Sequence, residues 1–266
     1  MTSHGLEVER GDRFKFGENW SRFLSLVDES RISGAMQSLK AMLGVEDLVG
    51  RSFLDAGSGS GLFSLAARRL GAEVLSFDFD PQSVACTREL RDRFFPGDPF
   101  WTVEAGSVLD QRYLIEKGRF DVVYSWGVLH HTGAMWGAID NIIPLAGHGG
   151  QVFIALYNDQ GWVTSYWRMV KRLYCSGFPG RLLVLGLHVP YFLTRVMVRW
   201  LSGRGRLERG MSMWHDLVDW VGGYPFEVAK PEAIVRHFVM RRFFLTNIAT
   251  CGGRNGCNEF VFRRFD

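Results

Sequence analysis

The sequence predicts an α/β fold organised on a mainly parallel sheet, and three observations carry that expectation. Between Arg51 and Gly71, RSFLDAGSGSGLFSLAARRLG reads as a short buried strand, a glycine turn and a helix. Short apolar strands then alternate with helical segments as far as Tyr157. Near the end, FFLTNIAT (243–250) and EFVFRRF (259–265) read as two strands joined by CGGRNGCN, a Gly/Asn turn suited to a hairpin.

The glycine turn is the centre of the chain. Gly57, Gly59 and Gly61 permit a tight turn and close backbone approach to a ligand, with Ser58 between them. Leu62, Leu65, Ala66 and Leu70 follow at helical spacing and give that helix one face for the sheet. Such a strand-to-helix turn points to a nucleotide-like cofactor. The spacing here is G-x-G-x-G, whereas a dinucleotide fingerprint has G-x-G-x-x-G. Asp55 precedes the turn; a carboxylate there would repel a pyrophosphate and suits a cofactor carrying an ammonium and a sulfonium.

DAGSGSG resembles the first motif of the class I S-adenosylmethionine (SAM) methyltransferases. The resemblance implies a Rossmann-like, seven-stranded, mainly parallel sheet with an antiparallel last strand. It also implies SAM as cofactor and S-adenosylhomocysteine (SAH) as product.

In chain order, residues 1–12 read as a polar tail. From Phe14 to Leu43 apolar residues, among them Trp20, Phe23, Ile32 and Leu39, recur at three and four. The resemblance implies that these leading helices fold over the SAM site as a lid, with FGENW lining it; plain packing of aromatics accounts for the pattern equally well. AEVLSFDFDP (72–81) is a buried strand ending at Asp78, the position where the family holds the ribose hydroxyls. Phe79 beside it suits the adenine. Asp80 and Pro81 read as the cap and first residue of the next helix. Trp101 and Val103 mark a third strand, leading into GSVLD. The family usually has an acid beside the adenine there, whereas this chain has Gly106 and Ser107. Contacts are then expected from Ser107, the backbone at Val108, or Asp110.

RFDVVYSWGVLHHTG (119–133) gives the fourth strand and resembles the branch containing the ubiquinone and menaquinone methyltransferases. Ser125, near that strand's end, joins the expected cofactor residues. There is no Asn/Asp-Pro-Pro-Tyr, the motif that nucleic-acid amino methyltransferases use. His130 and His131 follow the strand, and a neutral imidazole is a plausible base for a hydroxyl. A helix-start histidine bonded to backbone is the alternative, and His131 is slightly favoured as the base. Asn141–Leu145 reads as helix ended by Gly147–Gly150. QVFIALYN (151–158) is the fifth strand, with Tyr157 and Asn158 at its carboxyl end. PEAIVRHF (231–238) supplies a last helix before the hairpin.

The expected organisation is lid helices in 1–50, a SAM-binding core in 51–157, a helical cap in 158–230, and completion of the sheet in 231–266. With 266 residues, 47% hydrophobic and 22% charged, the chain suits one large globular unit. A net charge of +3 is too small to argue for nucleic acid by itself. The four cysteines lack the partners for a zinc site or a disulfide framework. The polar start and the lack of a charge-free apolar run of spanning length suggest a cytoplasmic protein.

The 158–230 insertion differs from the rest. Trp162, Tyr166, Trp167, Met169, Val170, Leu173 and Tyr174 form an aromatic helix, and Leu182–Leu201 is strongly apolar. From Asn158 to Gly210, nine Lys or Arg stand against Asp159 and Glu208. This composition suits an interfacial membrane element or a cover over a lipid-like substrate. A core hairpin with solvated arginines, or a dimer interface, would also produce it. MWHDLVDWVGGYPFE (213–227) gathers His215, Asp216, Asp219 and Tyr224 among aromatics, as a small-molecule pocket does.

The function expected is O-methylation of a small or lipid-carried acceptor such as a sugar, glycan end, phenol or quinone. His131, Tyr157, His215 and Tyr224 are the candidate catalytic residues. An RNA methyltransferase and a non-catalytic SAM-binding regulator are the rival readings, and the oligomeric state is left open.

Overall fold

The computed structural model describes residues 3–14, 16–17, 20, 24–201, 221–253 and 256–265, with backbone alone for 191–193 and 195–201. Its sheet has the strands β1 (Ser52–Ala56), β2 (Glu73–Asp78), β3 (Trp101–Ala105), β4 (Phe120–Trp126), β5 (Ala146–Tyr157), β6 (Phe243–Ala249) and β7 (Cys257–Arg264). They lie in the order β3-β2-β1-β4-β5-β7-β6. Neighbours pair parallel from β3 to β5, and β7 runs antiparallel between β5 and β6. This is the expected seven-stranded Rossmann-like sheet. The strand order reverses between β1 and β4, and such a switch point opens a crevice at the strands' carboxyl ends.

Alternation along each strand divides the core into two layers. Phe53, Val122 and Phe153 face α2 (Glu29–Leu43), α3 (Leu62–Arg69) and α4 (Pro81–Phe94). Leu54, Val123, Val152 and Ile154 face α5 (Gln111–Glu116), α6 (Met135–Ile142) and α9 (Pro231–Val239). A third cluster lies outside the sheet, between α7 (Trp162–Cys175) and α8 (Phe178–Leu201). There Trp167, Val170, Tyr174 and Val184 pack with Val221, Phe226 and Phe14.

Two expectations about local structure need correction. Residues 3–12 are not a tail: α1 (Ser3–Glu9) is a helix, and His4 on it is buried. Among the leading helices, α2 starts where Asp28 is extended (φ −127°) and its side chain accepts from the Arg31 N–H. Helix α6 ends at Ile142, a 3₁₀ turn covers Ile143–Leu145, and Gly147–Gly150 lies within β5.

Candidate active site

The crevice has a cofactor side, at the ends of β1–β3, and an acceptor side, at the ends of β4 and β5. On the cofactor side the glycine turn is pinned to β2, since the Gly57 and Ser58 N–H groups donate to the Phe77 carbonyl (2.9 and 3.0 Å). Gly57 has φ 93°, and a Cβ there would come within 2.4 Å of the Val128 side chain. Gly59 has φ 55°, with the Trp20 indole 3.2 Å from where its Cβ would stand. Both positions therefore require glycine.

Asp78 stands against this turn. One carboxylate oxygen accepts the Gly59 N–H (2.9 Å) and the other the Asp80 N–H (2.9 Å). Burial raises its pKa to about 6; the two backbone bonds oppose the rise and the Asp80 charge adds to it. A carboxylate offers about four lone-pair sites, so two bonds leave room for two more donors. A vicinal diol fits that capacity. Phe79, Ser107, Leu109 and Asp110 line the adjoining open cleft of about 560 Å³, with Glu7 and Arg13 on its rim. The turn, the carboxylate and the aromatic-walled cleft together fit an adenosyl cofactor.

Other residues expected at the cofactor are engaged elsewhere. The Ser58 hydroxyl pairs with Thr87 (2.9 Å), and Ser125 donates to the Ala56 carbonyl (2.7 Å). Val108 is packed in the core, and its carbonyl accepts from Asn141. Asp55 accepts from Ser64, which accepts from Ser76, which accepts from the Trp101 indole. That relay braces β1 and β2 against α3. Burial raises the Asp55 pKa to about 7, partly offset by the Ser64 bond. These bonds brace the turn from behind.

An N-terminal arm covers both sides. The Arg13 guanidinium lies 5.0 Å from the Phe79 ring centre, bonds Glu7 (2.6 Å) and donates to the His131 carbonyl (2.9 Å). The Gly17 N–H donates to Asp80 (2.8 Å), which also caps α4 through the Gln82 N–H. The Phe14 N–H donates to the Tyr224 carbonyl (2.9 Å).

On the acceptor side, β4 runs into a 3₁₀ turn at Leu129–His131. The segment from 221 clamps that turn: the Glu227 N–H donates to the His130 carbonyl (3.0 Å), and His131 Nδ1 lies 2.6 Å from the Pro225 carbonyl. A carbonyl only accepts, so Nδ1 carries the proton and Nε2 keeps its lone pair. Burial lowers the His131 pKa to about 3, helped by the charges of Lys171 and Arg13. His130 is 1% exposed, its Nδ1 has no hydrogen-bond partner among the described residues, and burial holds its pKa well below the ordinary value.

Aromatic rings wall this side. Tyr157 lies 4.1 Å from His130 and 5.1 Å from Phe226, and Phe16 lies 4.9 Å from His131, centre to centre. Lys171 is fully buried, its ammonium 4.8 Å from the Phe226 ring centre and 5.9 Å from that of Tyr157. The arrangement can accept a hydrogen bond from an acceptor at a neutral imidazole while excluding water.

Of the predicted catalytic residues, His131 and Tyr157 come together. Tyr224 takes part through its carbonyl, and His215, with Asp216 and Asp219, lies outside the described residues. Asn158 turns away to bond Asn258 (3.1 Å). Sequence reasoning missed Arg13, Lys171 and Phe226, while Phe16 falls in FGENW, the stretch expected to line the site. Lys171 was legible in principle: with Trp167, Val170 and Tyr174 it occupies the apolar face of α7, where a solvated lysine does not belong.

A family model described as a methyltransferase domain matches residues 28–205. Among solved structures, magnesium protoporphyrin IX methyltransferase of Synechocystis PCC 6803 with bound SAH is similar (TM-score 0.54, 16% identity, covering 99% of this chain and 95% of that one). So is 1,6-didemethyltoxoflavin-N1-methyltransferase of Burkholderia thailandensis (TM-score 0.53, 16% identity, 100% and 91%). At such identities the likeness is one of fold. The ribosomal protein L11 methyltransferase of Photobacterium profundum is 38% identical over an alignment of 74 residues that covers 24% of this chain. That match spans 25% of the relative's own length.

Proposed function

We propose, for a chain that belongs to this methyltransferase-domain family and is a SAM-dependent methyltransferase, that the methyl goes to a hydroxyl on a small or lipid-carried acceptor. A sugar, glycan end, phenol or quinol is the class we favour. The observation that carries the reading is the tautomer of His131, with Nδ1 tied to the Pro225 carbonyl and Nε2 left as a proton acceptor among aromatic rings. The two structural neighbours, whose names give a porphyrin and a toxoflavin precursor as their acceptors, support a small molecule.

Bound SAM supplies a methyl group on a sulfonium, already a strong electrophile, so the protein's work is alignment and exclusion of water. In this reading Asp78 accepts from the ribose hydroxyls, Phe79 and Ser107 flank the adenine, and Gly57, Gly59 and Gly61 admit the methionine end. Asp55, Ser58, Val108 and Ser125 hold that frame in place. Tyr157, Phe226 and Phe16 enclose the acceptor, whose hydroxyl donates to His131 Nε2. A base with a pKa of about 3 is weak. It suffices here because an oxygen that is gaining a methyl group becomes strongly acidic, and its proton passes to Nε2 late in the transfer. His130 Nδ1 offers a second acceptor to a neighbouring hydroxyl. A cytoplasmic setting accompanies this reading.

The test is incubation with methyl-labelled SAM and fractionated cell extract. Label in small-molecule, lipid or polysaccharide fractions, in a linkage that survives mild base, is the expected result. Label in RNA would establish the nucleic-acid reading instead. SAM binding without label in any fraction would leave a regulator.

A further inference from the structure

We propose that the α7–α8 hairpin is a docking surface for an anionic membrane. The proposal deepens the acceptor reading above and rests on it for its purpose, but not for its test. Helix α7 is apolar on two sides. Trp167, Val170 and Tyr174 turn inward to the third cluster. On the other side Trp162, Tyr166, Met169 and Leu173 follow at spacings of four, three and four, and are 80, 41, 61 and 37% exposed. Helix α8 adds Phe178, Leu182, Leu183 and Leu187, at 72, 57, 53 and 66%. Single exposed apolar residues are ordinary on a protein surface, but this many on one helical pair mark an interaction site.

Charge selects the occupant. Between Asp159 and Glu208 the sequence holds no acid and eight Lys or Arg, of which Arg168, Arg172 and Arg181 are exposed on the described hairpin. A second copy of the chain would set these cations against their own kind. An anionic lipid surface supplies the missing counter-charge, and tryptophan and tyrosine favour the water–lipid boundary. Among the described residues no helix is long and apolar enough to cross a membrane. A pair lying in the interface, apolar side down, meets all three conditions.

The placement gives the hairpin a use. Lys171, on the inner side of α7, lies against Phe226 and Tyr157, and Tyr157 lies against both histidines. Met169 and Leu173, two residues to either side of Lys171, are exposed. One helix thickness therefore separates the exposed apolar stripe from the aromatic residues around His131, which places the proposed membrane surface next to the proposed acceptor side.

Sedimentation of the full chain with vesicles tests this, using phosphatidylcholine alone and phosphatidylcholine mixed with phosphatidylglycerol. Pelleting with the anionic mixture, weakening as salt rises, is expected. Replacing Arg172 and Arg181 by Gln should lower partitioning about 25-fold, roughly fivefold for each charge lost at the surface. Replacing Trp162, Met169, Leu182 and Leu187 by Ser should abolish it. Both variants should bind SAH as the wild type does, which separates surface effects from misfolding. No pelleting of the wild type at low salt, or equal pelleting of the variants, overturns the proposal. So does a dimer that the serine substitutions dissolve while vesicles are ignored. Failure of the acceptor reading would show separately, as label in RNA or in no fraction, and would leave vesicle binding unchanged.

Discussion

Asp78 allows the most direct test of the cofactor side. Its carboxylate accepts two backbone N–H groups at 2.9 Å, one on each oxygen, and keeps capacity for two further donors. A net hydrogen bond to a charged group contributes about 1.5–3 kcal/mol. Asp78→Ala should therefore weaken SAH binding about 10- to 150-fold if one ribose hydroxyl is held, and further if both are, at tenfold for each 1.4 kcal/mol. The pH dependence supplies a second readout. The ligand-free carboxyl has a pKa near 6 because it is buried, and hydroxyl donors need the ionised form. SAH affinity of the wild type should fall as pH drops below about 6, approaching tenfold per unit, and Asp78→Ala should lose that part of the dependence. Titration calorimetry between pH 5 and pH 8, on both proteins, measures each effect. Wild-type affinity in Asp78→Ala would refute the assignment of the ribose to this residue.

Three further outcomes follow from the same geometry. His131→Gln should lower turnover by about 10²–10⁴ with SAH affinity unchanged; because burial holds the pKa near 3, a wild-type pH–rate limb at about 6.5 would contradict the assigned environment. Arg13→Ala removes a guanidinium from the Phe79 face and a bond to the His131 carbonyl. With each contributing about 1 kcal/mol, stopped-flow release of SAH should quicken roughly tenfold or more, and the unfolding temperature should fall by a few degrees. The buried histidines favour neutrality in the folded state, so their stabilisation is present above pH 6.5 and is lost as pH falls below it, for His131 down to about 3. The slope approaches about 1.4 kcal/mol per pH unit for each histidine. Asp55 and Asp78 act oppositely: their raised values stabilise the fold at low pH, and that share is lost as pH rises through about 7 and about 6, respectively. The His131 share is therefore read as the difference in denaturant unfolding between wild type and His131→Gln at pH 5 and pH 7.

What was legible in the sequence was whatever short-range pattern determines. The strand–glycine–helix unit, the Asp80-Pro81 helix start and the Gly/Asn hairpin each depend on neighbours within a few residues, and each formed where the pattern indicated. Asp78 was locatable because a strand's last residue must lie at the sheet's carboxyl edge. The side-chain direction of Ser58, Ser125 and Asp55 was not legible. Thr87, the Ala56 carbonyl and Ser64 claim them from 29, 69 and 9 residues away, and no periodicity encodes such pairings. FGENW was expected at the site, whereas the first part of the arm, up to Arg13, was missed for a related reason. Its polar composition reads as solvated until Phe79, Asp80 and the His131 carbonyl are brought under it. The aromatic residues of α7 were legible as an interfacial candidate, but only the packing of Trp167 and Tyr174 separates the side that faces the protein from the side that does not.

The arm and the hairpin meet at one place, which bears on how the two ligands are handled. Arg13 touches the cofactor side through Phe79 and the acceptor side through the His131 carbonyl, and Phe14 enters the cluster beneath α7. Hydrogen bonds that replace bonds to water contribute little net, and every ordered residue costs chain entropy. The arm is therefore held mainly by what it buries: Phe14 against Phe16 and Tyr174, Phe16 against His131, and His4 edge-on to Phe79. Two of these contacts, those of His4 and Phe16, are with residues assigned here to the ligands. A cofactor packed on Phe79 and an acceptor packed beside His131 add apolar surface beneath the same arm. The side chains that hold the arm are therefore the same ones that a cofactor and an acceptor would meet in the proposed reading.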